Sequence, residues 1–443
     1  MTKKSISRLL QASLMCCLAV LFTACEEFGM ESNPTPSYLS LNTDDVTLKV
    51  GDTYVRKAIV ACTAVVIYSS SNEAVATVDQ AGKVTAVGEG TATITAQATG
   101  YDAAGKKIYQ PASVSYQVTI TPATVPATSL TLNKTMEVLA KNGDALTITA
   151  TATPAEATLT WESSDEAVAT VADGVVTPVG NGIATITAKS GDVKATCQVF
   201  VGNEVALSAA AYEAKNYDIL KGNMGAKSLT IPDGFKVALD GVTINGNQIV
   251  CSGDATIYLT DGSENKVTAP DDYAGIKIGG TGKTLTINAE TLGTGTLTAK
   301  GGGGSAGIGT NVSSFSAVTG GNIVINGGTV TATGGHSGAG IGTGCDSNGN
   351  TCGDITINGG TVTATGGIMG AGIGTGAGSS STTCGDITIG TGVTKVTATK
   401  GDGSPNSIGI GDGTPPPTCG TITIGGVVKA QSDFTGATYT YEP

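Results

Sequence analysis

The sequence predicts an all-β protein in which two small β-sandwiches precede a right-handed parallel β-helix (solenoid). Three observations lead to this prediction. The 443 residues include 65 glycines, with 4% aromatic and 14% charged residues, a composition typical of strands and turns. The phrase "SSNEAVATV" at Ser70 returns as "SSDEAVATV" at Ser163, an offset of 163 − 70 = 93 residues, which indicates a repeated domain. A shorter phrase then recurs about every 32 residues, the spacing of stacked coils.

The first 36 residues are a targeting segment, separate from the folded body. A basic start and the apolar run "LLQASLMCCLAVLF" predict a signal peptide over residues 1–24. The ending "LFTAC" resembles a bacterial lipobox, which implies lipidation of Cys25 and a tether over residues 25–36. Glu26 and Glu27 resemble a surface-export signal of lipoproteins in Gram-negative gut anaerobes. We therefore expect a lipid-anchored outer-membrane protein that faces the cell exterior; cleavage as an ordinary secretory peptide is the alternative.

Charge and cysteine content restrict the partners and the redox chemistry. The net charge of −12 disfavours nucleic acid as a partner, because phosphates require basic patches. Removing Cys16, Cys17 and Cys25 from the 10 cysteines leaves seven, so an internal disulfide framework cannot include all of them.

Two segments, residues 37–122 and 126–202, carry the 93-residue repeat. Each begins with a similar strand, "LSLN" or "LTLN", and contains alternating apolar runs separated by Gly and Asp. They resemble bacterial Ig-like group 2 domains, and "WESSDEAVATV" is the most specific phrase. In the first copy Tyr68 takes the place of Trp161, and "GYDAAGKKIYQPAS" looks like a loop insertion. The resemblance implies two Ig-like β-sandwiches with spacing or adhesive roles, and we expect Trp161 in the core.

Three phrases recur in fixed order over residues 203–443, represented by "DITIN", "GTVTAT" and "AGIGTG". One strand per phrase predicts about six or seven coils, stacked in register to bury their apolar positions. In "TVTAT", alternation places Val330 and Ala332 inside and the threonines outside. The first phrase always ends in Asn or Gly, two residues that tolerate a left-handed backbone. We therefore predict a left-handed backbone at each of these positions: Asn288, Asn326, Asn358, Gly390 and Gly425.

Three cysteines, Cys352, Cys384 and Cys419, precede the first phrase in consecutive coils and should form a column. Since no histidine accompanies them, we expect buried thiols rather than a metal site, although neighbouring coils are close enough for a disulfide. Cys345 and Cys352 also flank one loop and could pair.

The chain lacks the residue sets expected of β-helix enzymes. The arginines are Arg8 and Arg56, outside the solenoid, and the sole histidine is His336, in the turn-like stretch "GGHSG". Polysaccharide lyases of this shape use an arginine base, and the hydrolases need an aspartate trio with a histidine and an arginine. We therefore predict no catalytic residues and no enzymatic activity.

Acidic residues are concentrated early in the solenoid. Carboxylates supply the oxygen ligands that calcium requires, so we predict a calcium site from this set, with turn residues in water as the alternative: Asp254, Asp261, Glu264, Asp271 and Asp272. The stretch "YLTDGSENKV" resembles a family of extracellular β-helix carbohydrate-binding proteins, linked to calcium-assisted binding of acidic polysaccharides without cleavage. Asn265, Tyr258 and Tyr273 are the candidate ligand-binding residues beside it.

These predictions combine into a non-enzymatic cell-surface lipoprotein. The Ig-like domains would act as spacers that present a solenoid, which binds glycans or serves as an adhesin. Its partners would be the membrane, through the lipid, and an acidic polysaccharide or another host or bacterial surface ligand; calcium is the one cofactor considered. The alternatives are a structural or fimbria-associated protein that binds protein partners and, less favoured, a polysaccharide-degrading enzyme.

Overall fold

The computed structural model describes residues 35–36, 39–60, 65–98, 104, 109–290, 294–312, 316–345, 349–379 and 381–443. Cys25 and the predicted signal peptide lie outside these residues. The described parts are strands and turns, with one short 3-10 helix at Gln431–Phe434. None of their helices has the length and apolar character required to cross a membrane. The chain divides into two compact units, Met1–Val125 and Pro126–Pro443.

The first unit contains a β-sandwich. One sheet has the strand order Val46–Lys49, Ala112–Thr121, Gly90–Ala98 and Val66–Ser70, and another has the order Thr53–Val55, Lys83–Ala86 and Ala76–Val78. Two short pairs join Leu39–Ser40 to Ile59–Val60 and Thr35–Pro36 to Tyr109–Gln110. Tyr68 is buried in this core, and its hydroxyl accepts a 2.6 Å hydrogen bond from the Ala58 N–H.

The second unit begins with the other sandwich. Val193–Ala206 pairs with Met136–Ala140 and Gly182–Ser190, and Gly182–Ser190 continues to Thr160–Ser163. The remaining strands are Ser129–Leu132 with Ala150–Thr153, and Leu146–Thr147 with Val175–Pro178 and Ala169–Ala172. Trp161 is partly buried and packs against this core, in agreement with the sequence-based expectation.

Strands of the solenoid stack in four parallel ladders. Ladder A contains the end of Val193–Ala206, then Asp218–Gly225, Phe235–Asn245, Ala255–Leu259, Thr284–Ala289, Asn322–Ile325, Ile355–Ile357, Ile387–Ile389 and Ile422–Ile424. Ladder B contains the second halves of Asp218–Gly225 and Phe235–Asn245, then Glu264–Thr268, Thr296–Lys300, Thr329–Thr333, Gly360–Thr365 and Val393–Thr399.

Ladder C contains Tyr212–Glu213, Leu229–Ile231, Ile249–Cys251, Ile276–Lys277, Ile308–Gly309, Ile341–Gly342, Ile373–Gly374 and Ile408–Gly409. Ladder D contains Thr351–Cys352, Thr383–Cys384 and Thr418–Cys419. The three repeated phrases form ladders A, B and C, as predicted. Ladder C has eight strands, more than the six or seven coils expected, because the irregular sequence before Ser228 conceals the first coil.

Apolar columns fill the space between the ladders. The inner isoleucines of ladder A are all almost fully buried: Ile257, Ile287, Ile325, Ile357, Ile389 and Ile424. Val330 and Ala332 are buried, while Thr329, Thr331 and Thr333 are not, which confirms the predicted alternation. Burial of each such Val or Ile contributes about 1.5–3 kcal/mol, and the stacked coils share this core.

The left-handed backbone predicted at the end of each first phrase is wrong at four of the five positions. Positive φ occurs at Gly425 but not at Asn288, Asn326, Asn358 or Gly390. Instead the side-chain amides form a ladder, in which Asn326 Nδ2 donates to Asn288 Oδ1 and Asn358 Nδ2 donates to Asn326 Oδ1, both at 2.9 Å. Asparagine is suitable here because one side chain can accept from one neighbouring coil and donate to the other.

A second set of hydrogen bonds between coils explains the repeated "GD" before the ladder A strands. The Asp354 carboxylate accepts a 2.9 Å hydrogen bond from the Asp386 N–H, and the Asp386 carboxylate accepts one of 2.7 Å from the Thr421 N–H. A Cβ on Gly385 would overlap the Asp354 carboxylate, and one on Gly420 would overlap that of Asp386. The glycine thus makes room for the carboxylate of the coil before it.

The second sandwich and the solenoid share strand Val193–Ala206, so the boundary predicted at residue 202 falls inside one strand. Phe200 packs against Tyr258 and Tyr217 at ring-centroid distances of 4.9 and 5.7 Å. The buried Glu290 reaches from the solenoid to the sandwich. Its carboxylate accepts from the Thr135 N–H at 3.0 Å, the Thr135 hydroxyl at 2.8 Å and the Met136 N–H at 2.9 Å. This domain is therefore joined to the solenoid by a shared strand, an aromatic cluster and a buried carboxylate.

The far end of the solenoid is capped by antiparallel strands. Val427–Lys429 folds back on Ile422–Ile424, and Thr438–Tyr441 pairs antiparallel with Val393–Thr399. Phe434 is fully buried against the end of the core and meets Tyr439 edge-on. The cap covers the apolar end and the open edges of ladders A and B.

Candidate functional site: a groove across four coils

A groove of about 470 Å³ crosses the turns that join ladder B to ladder C. Its lining comes from four successive coils, because Thr268, Lys300, Thr333 and Thr365 are register partners in ladder B. Coils stack about 4.8 Å apart, so the groove extends about 14 Å along the solenoid axis. The lining residues are Thr268, Ala269, Asp271, Lys300, Gly301, Gly302, Gly303, Thr333, Gly334, Gly335, His336, Gly367 and Ile368.

The floor of the groove consists of stacked glycines. A Cβ on Gly302 would overlap the Pro270 carbonyl oxygen, one on Gly335 that of Gly303, and one on Gly367 that of Gly335. Glycine is required here because backbone of one coil lies directly against backbone of the next. The repeated "GG" of the sequence thus creates a shallow surface without side chains.

Charged, polar and apolar side chains line the groove beside this glycine floor. Lys300 and His336 are exposed, and His336 Nδ1 lies 3.0 Å from the Ser337 hydroxyl. Ile368 is 51% exposed. Tyr273, 44% exposed, is adjacent, since its carbonyl accepts the Gly302 N–H. An apolar platform beside hydrogen-bonding groups suits a ligand that has both apolar faces and hydroxyl groups.

Asp271 is the one carboxylate among the described lining residues, and its Oδ1 accepts a 3.1 Å hydrogen bond from the Gly303 N–H. Glycoside hydrolysis typically uses two carboxyl groups that flank the scissile bond. Arg56 lies in the first sandwich, buried, where its guanidinium donates to the Asn42 and Asp44 carbonyls at 2.9 and 2.7 Å. The described lining of the groove therefore presents a single carboxylate, not the two carboxyl groups typical of glycoside hydrolysis.

The five carboxylates predicted to bind calcium are not brought together. Asp254 and Asp261 lie at opposite ends of strand Ala255–Leu259, which is about 13 Å long. Asp271 lies in the groove, and Asp272 follows it in the same turn. Within the described ranges, no group of three or more His, Cys, Asp or Glu residues could hold a metal ion. The proposed set does not form one site, because residues close in sequence are separated by the strands between them.

Two of these carboxylates have structural partners. Asp261 Oδ1 accepts from the Thr294 N–H at 2.7 Å and from its hydroxyl at 2.9 Å, and the backbone hydrogen bond lowers the pKa of Asp261. Asp254 accepts from the Thr284 N–H at 2.8 Å and pairs with Lys283 at 3.4 Å. Glu264 is exposed at the start of its ladder B strand.

Two of the three predicted ligand-binding residues are buried. Asn265 Oδ1 accepts from the Gly241 and Val242 N–H groups at 3.0 and 2.9 Å, where ladders A and B separate, and its Nδ2 donates to the Ser263 hydroxyl at 2.9 Å. Tyr258 packs on Phe200 at the junction with the second sandwich. The structure therefore places Asn265 and Tyr258 in the interior, whereas Tyr273 and Asp271 lie at the groove.

Lys300 and Ile368 belong to no ligand-binding motif of the sequence, and His336 lies in a turn-like stretch, so none of the three is among the predicted ligand-binding residues. The signal that could have found the groove is variation within the repeat. Three residues after the register partners Lys300, Thr333 and Thr365, and directly after a constant glycine pair, the sequence reads Gly303, His336 and Ile368. Side-chain chemistry thus varies at this equivalent position of the coils.

Two family models match parts of the chain. The family model for the bacterial Ig-like domain (group 2) matches residues 39–107 and 126–200, and the beta helix repeat model matches residues 323–345 and 355–377. An alpha-L-arabinofuranosidase of Bifidobacterium longum subsp. longum is 37% identical over 145 residues, which are 30% of this chain and 13% of that protein. The chain thus spans about an eighth of the length of that relative.

Solved structures that resemble parts of the chain include mouse cadherin-23 EC22-24, with TM-score 0.19 and 18% identity over 39% of this chain and 64% of that one. Domains 1-6 of the surface layer protein SbsC have TM-score 0.17 and 20% identity over 40% of this chain and 29% of theirs. The chain contains two bacterial Ig-like domains (group 2) followed by beta helix repeats, an organisation that suggests a surface or carbohydrate-related protein.

Proposed function

We propose that the chain is a non-enzymatic, lipid-anchored surface protein whose solenoid binds a glycan in the groove across the four coils. The observation that carries the proposal is the groove itself, in which a glycine floor lies between an exposed apolar side chain, Ile368, and the polar groups of Asp271, Lys300 and His336. Sugar rings have apolar faces and a rim of hydroxyls, so such a surface can contact both. The first sandwich would extend the reach of the solenoid from the anchor at Cys25.

The main alternative is an adhesin or structural component that binds protein. A glycan array and a pull-down from surface extracts, both with the purified chain, separate the two. We expect retention on a subset of glycans; capture of proteins alone, with no glycan bound at any concentration, would refute the proposal. A polysaccharide-degrading activity would appear as new reducing ends or unsaturated products when the chain is incubated with pectin, alginate or glycosaminoglycans.

Replacing two groove side chains should weaken glycan binding. Lys300→Ala with His336→Ala removes a charged donor and an imidazole, and loss of hydrogen bonds of this kind, at about 1.5–3 kcal/mol for a charged one, predicts roughly tenfold weaker binding or more. Lys266→Ala is the matched control, because Lys266 is exposed on the same ladder but outside the groove. Equal affinities for the double variant and the control, measured by calorimetry on a glycan selected from the array, would exclude the groove.

Calcium should not be needed for this binding. The carboxylates that would hold it are dispersed, so we expect the same affinity with calcium and with a chelator. A loss of binding in chelator that calcium restores, and that Asp261→Ala or Glu264→Ala reproduces, would reinstate the calcium bridge predicted from the sequence.

A further inference from the structure

Three cysteines lie one above another on ladder D. Cys352 is the register partner of Cys384, and Cys384 is the register partner of Cys419. Parallel strands lie about 4.8 Å apart, and disulfides join residues whose Cα atoms are about 4.4–6.8 Å apart. Either neighbouring pair could therefore be bridged with little movement of the backbone.

The column is accessible to solvent from one end. Cys352 and Cys384 are each 5% exposed, whereas Cys419 is partly exposed. In the described part of the chain, no strand pairs with the far side of Thr418–Cys419. Cys352 donates its thiol proton to the Gly321 carbonyl at 3.6 Å, and Cys419 donates to that of Gly385 at 3.7 Å. A reagent in solution therefore reaches Cys419 first.

We propose that Cys384 and Cys419 are the site of an inter-coil disulfide, formed from the exposed end of the column by a disulfide oxidant. The Cys419 thiolate attacks the oxidant RSSR, forms a mixed disulfide and releases one RS⁻. The Cys384 thiolate then attacks the Cys419 sulfur and releases the second RS⁻. Two cysteine thiols are oxidised and one RSSR is reduced to two thiols. Cys352 stays reduced, because Cys384, its only neighbour in the column, is already bonded to Cys419.

The second step should be the slow one. Hydrogen bonds with Cys352 and Cys419, together with burial, hold the pKa of the Cys384 thiol well above its usual value, and only the thiolate attacks. The thiolate fraction rises with pH, so closure should accelerate from neutral to alkaline solution. Burial raises the pKa of Cys197 and of Cys251 to about 12, so these thiols compete poorly. The export predicted from the N-terminal segment would bring the chain to a compartment where disulfides persist.

The tryptic map of the chain distinguishes the possible bridges. Residues 301–394 contain no Lys or Arg, so Cys345, Cys352 and Cys384 fall in the peptide 301–395, whereas Cys419 falls in the peptide 401–429. The reduced full chain is incubated with oxidised glutathione at neutral and alkaline pH, alkylated, digested and analysed by mass spectrometry. We expect a cross-link between the two peptides, formed faster at alkaline pH. A bridge inside peptide 301–395, or glutathione that remains on Cys419, would contradict the proposal.

Single substitutions identify the sulfur atoms. Cys352→Ser and Cys345→Ser should retain the cross-link, and Cys384→Ser should abolish it and leave a stable glutathione adduct on Cys419. Circular dichroism and the melting temperature verify that each variant is folded before oxidation. A cross-link that survives in folded Cys384→Ser would assign the bridge to another cysteine and overturn the inference.

Discussion

Glu290→Ala should weaken the joint between the second sandwich and the solenoid and lower the free energy of unfolding by about 1–3 kcal/mol. The substitution leaves the N–H groups of Thr135 and Met136 and the Thr135 hydroxyl without the carboxylate that accepts from them. Met136 is buried, so loss of the acceptor of its N–H costs about 1–3 kcal/mol, whereas Thr135 is exposed and water can replace the carboxylate there. Glu290→Gln keeps one carbonyl acceptor and should lose less.

Trp161 makes the measurement selective. It is the single tryptophan of the chain and lies in the second sandwich, so its fluorescence reports unfolding of that domain, while circular dichroism reports all strands. In urea we expect the fluorescence transition of Glu290→Ala at a lower midpoint than in the wild type. Glu264→Ala, at an exposed position, should change stability by less than about 0.5 kcal/mol. Identical midpoints for both variants would show that Glu290 does not hold the joint together.

Gly342→Ala should destabilise the solenoid by about 4 kcal/mol, and larger residues should prevent folding. Gly342 has φ of +134°, and a Cβ there would overlap the Gly374 carbonyl oxygen in the next coil. Strained backbone and overpacking each cost about 1–3 kcal/mol. The same contact recurs between Gly309 and Gly342 and between Gly374 and Gly409, so the column cannot relax at one level alone.

Gly280→Ala is the control for this prediction. Its added Cβ would meet nothing within 4 Å, and its φ is not in the left-handed region, so stability should be unchanged or slightly higher. Thermal unfolding followed by circular dichroism compares the two variants. Equal melting temperatures would mean that the solenoid tolerates a wider spacing between coils at ladder C.

The repeat predicted the solenoid because apolar and polar residues alternate within its phrases, as in strands. The inward positions of these phrases are always apolar. The number of coils was underestimated, since Tyr212–Glu213 enters ladder C without the repeated glycines. Asn326 was misinterpreted for a physical reason. Tolerance of positive φ is a property of a single asparagine, whereas an amide ladder forms only when the next coil has asparagine at the equivalent position.

The candidate site was harder to predict than the fold. Asp254 and Asp261 are seven residues apart in sequence, yet a strand holds them apart. Any two of Lys300, His336 and Ile368 are more than 30 residues apart in sequence, yet all three line one groove. In a solenoid with coils of about 32 residues, residues one period apart lie close together in space, whereas residues a few positions apart along a strand do not. A site is therefore found by comparing equivalent positions of successive coils.

The two ends of the solenoid have a consequence for how its length can change. One end continues into the second sandwich, and at the other Phe434 and the strand Thr438–Tyr441 cover the core and the edge of ladder B. Each interior coil contacts only its two neighbours, as in other solenoids. Duplication or deletion of a whole period inside the array would preserve both ends and lengthen or shorten the binding surface by about 4.8 Å per coil. Gene variants of this kind would differ in the length of polymer they hold while keeping the same fold.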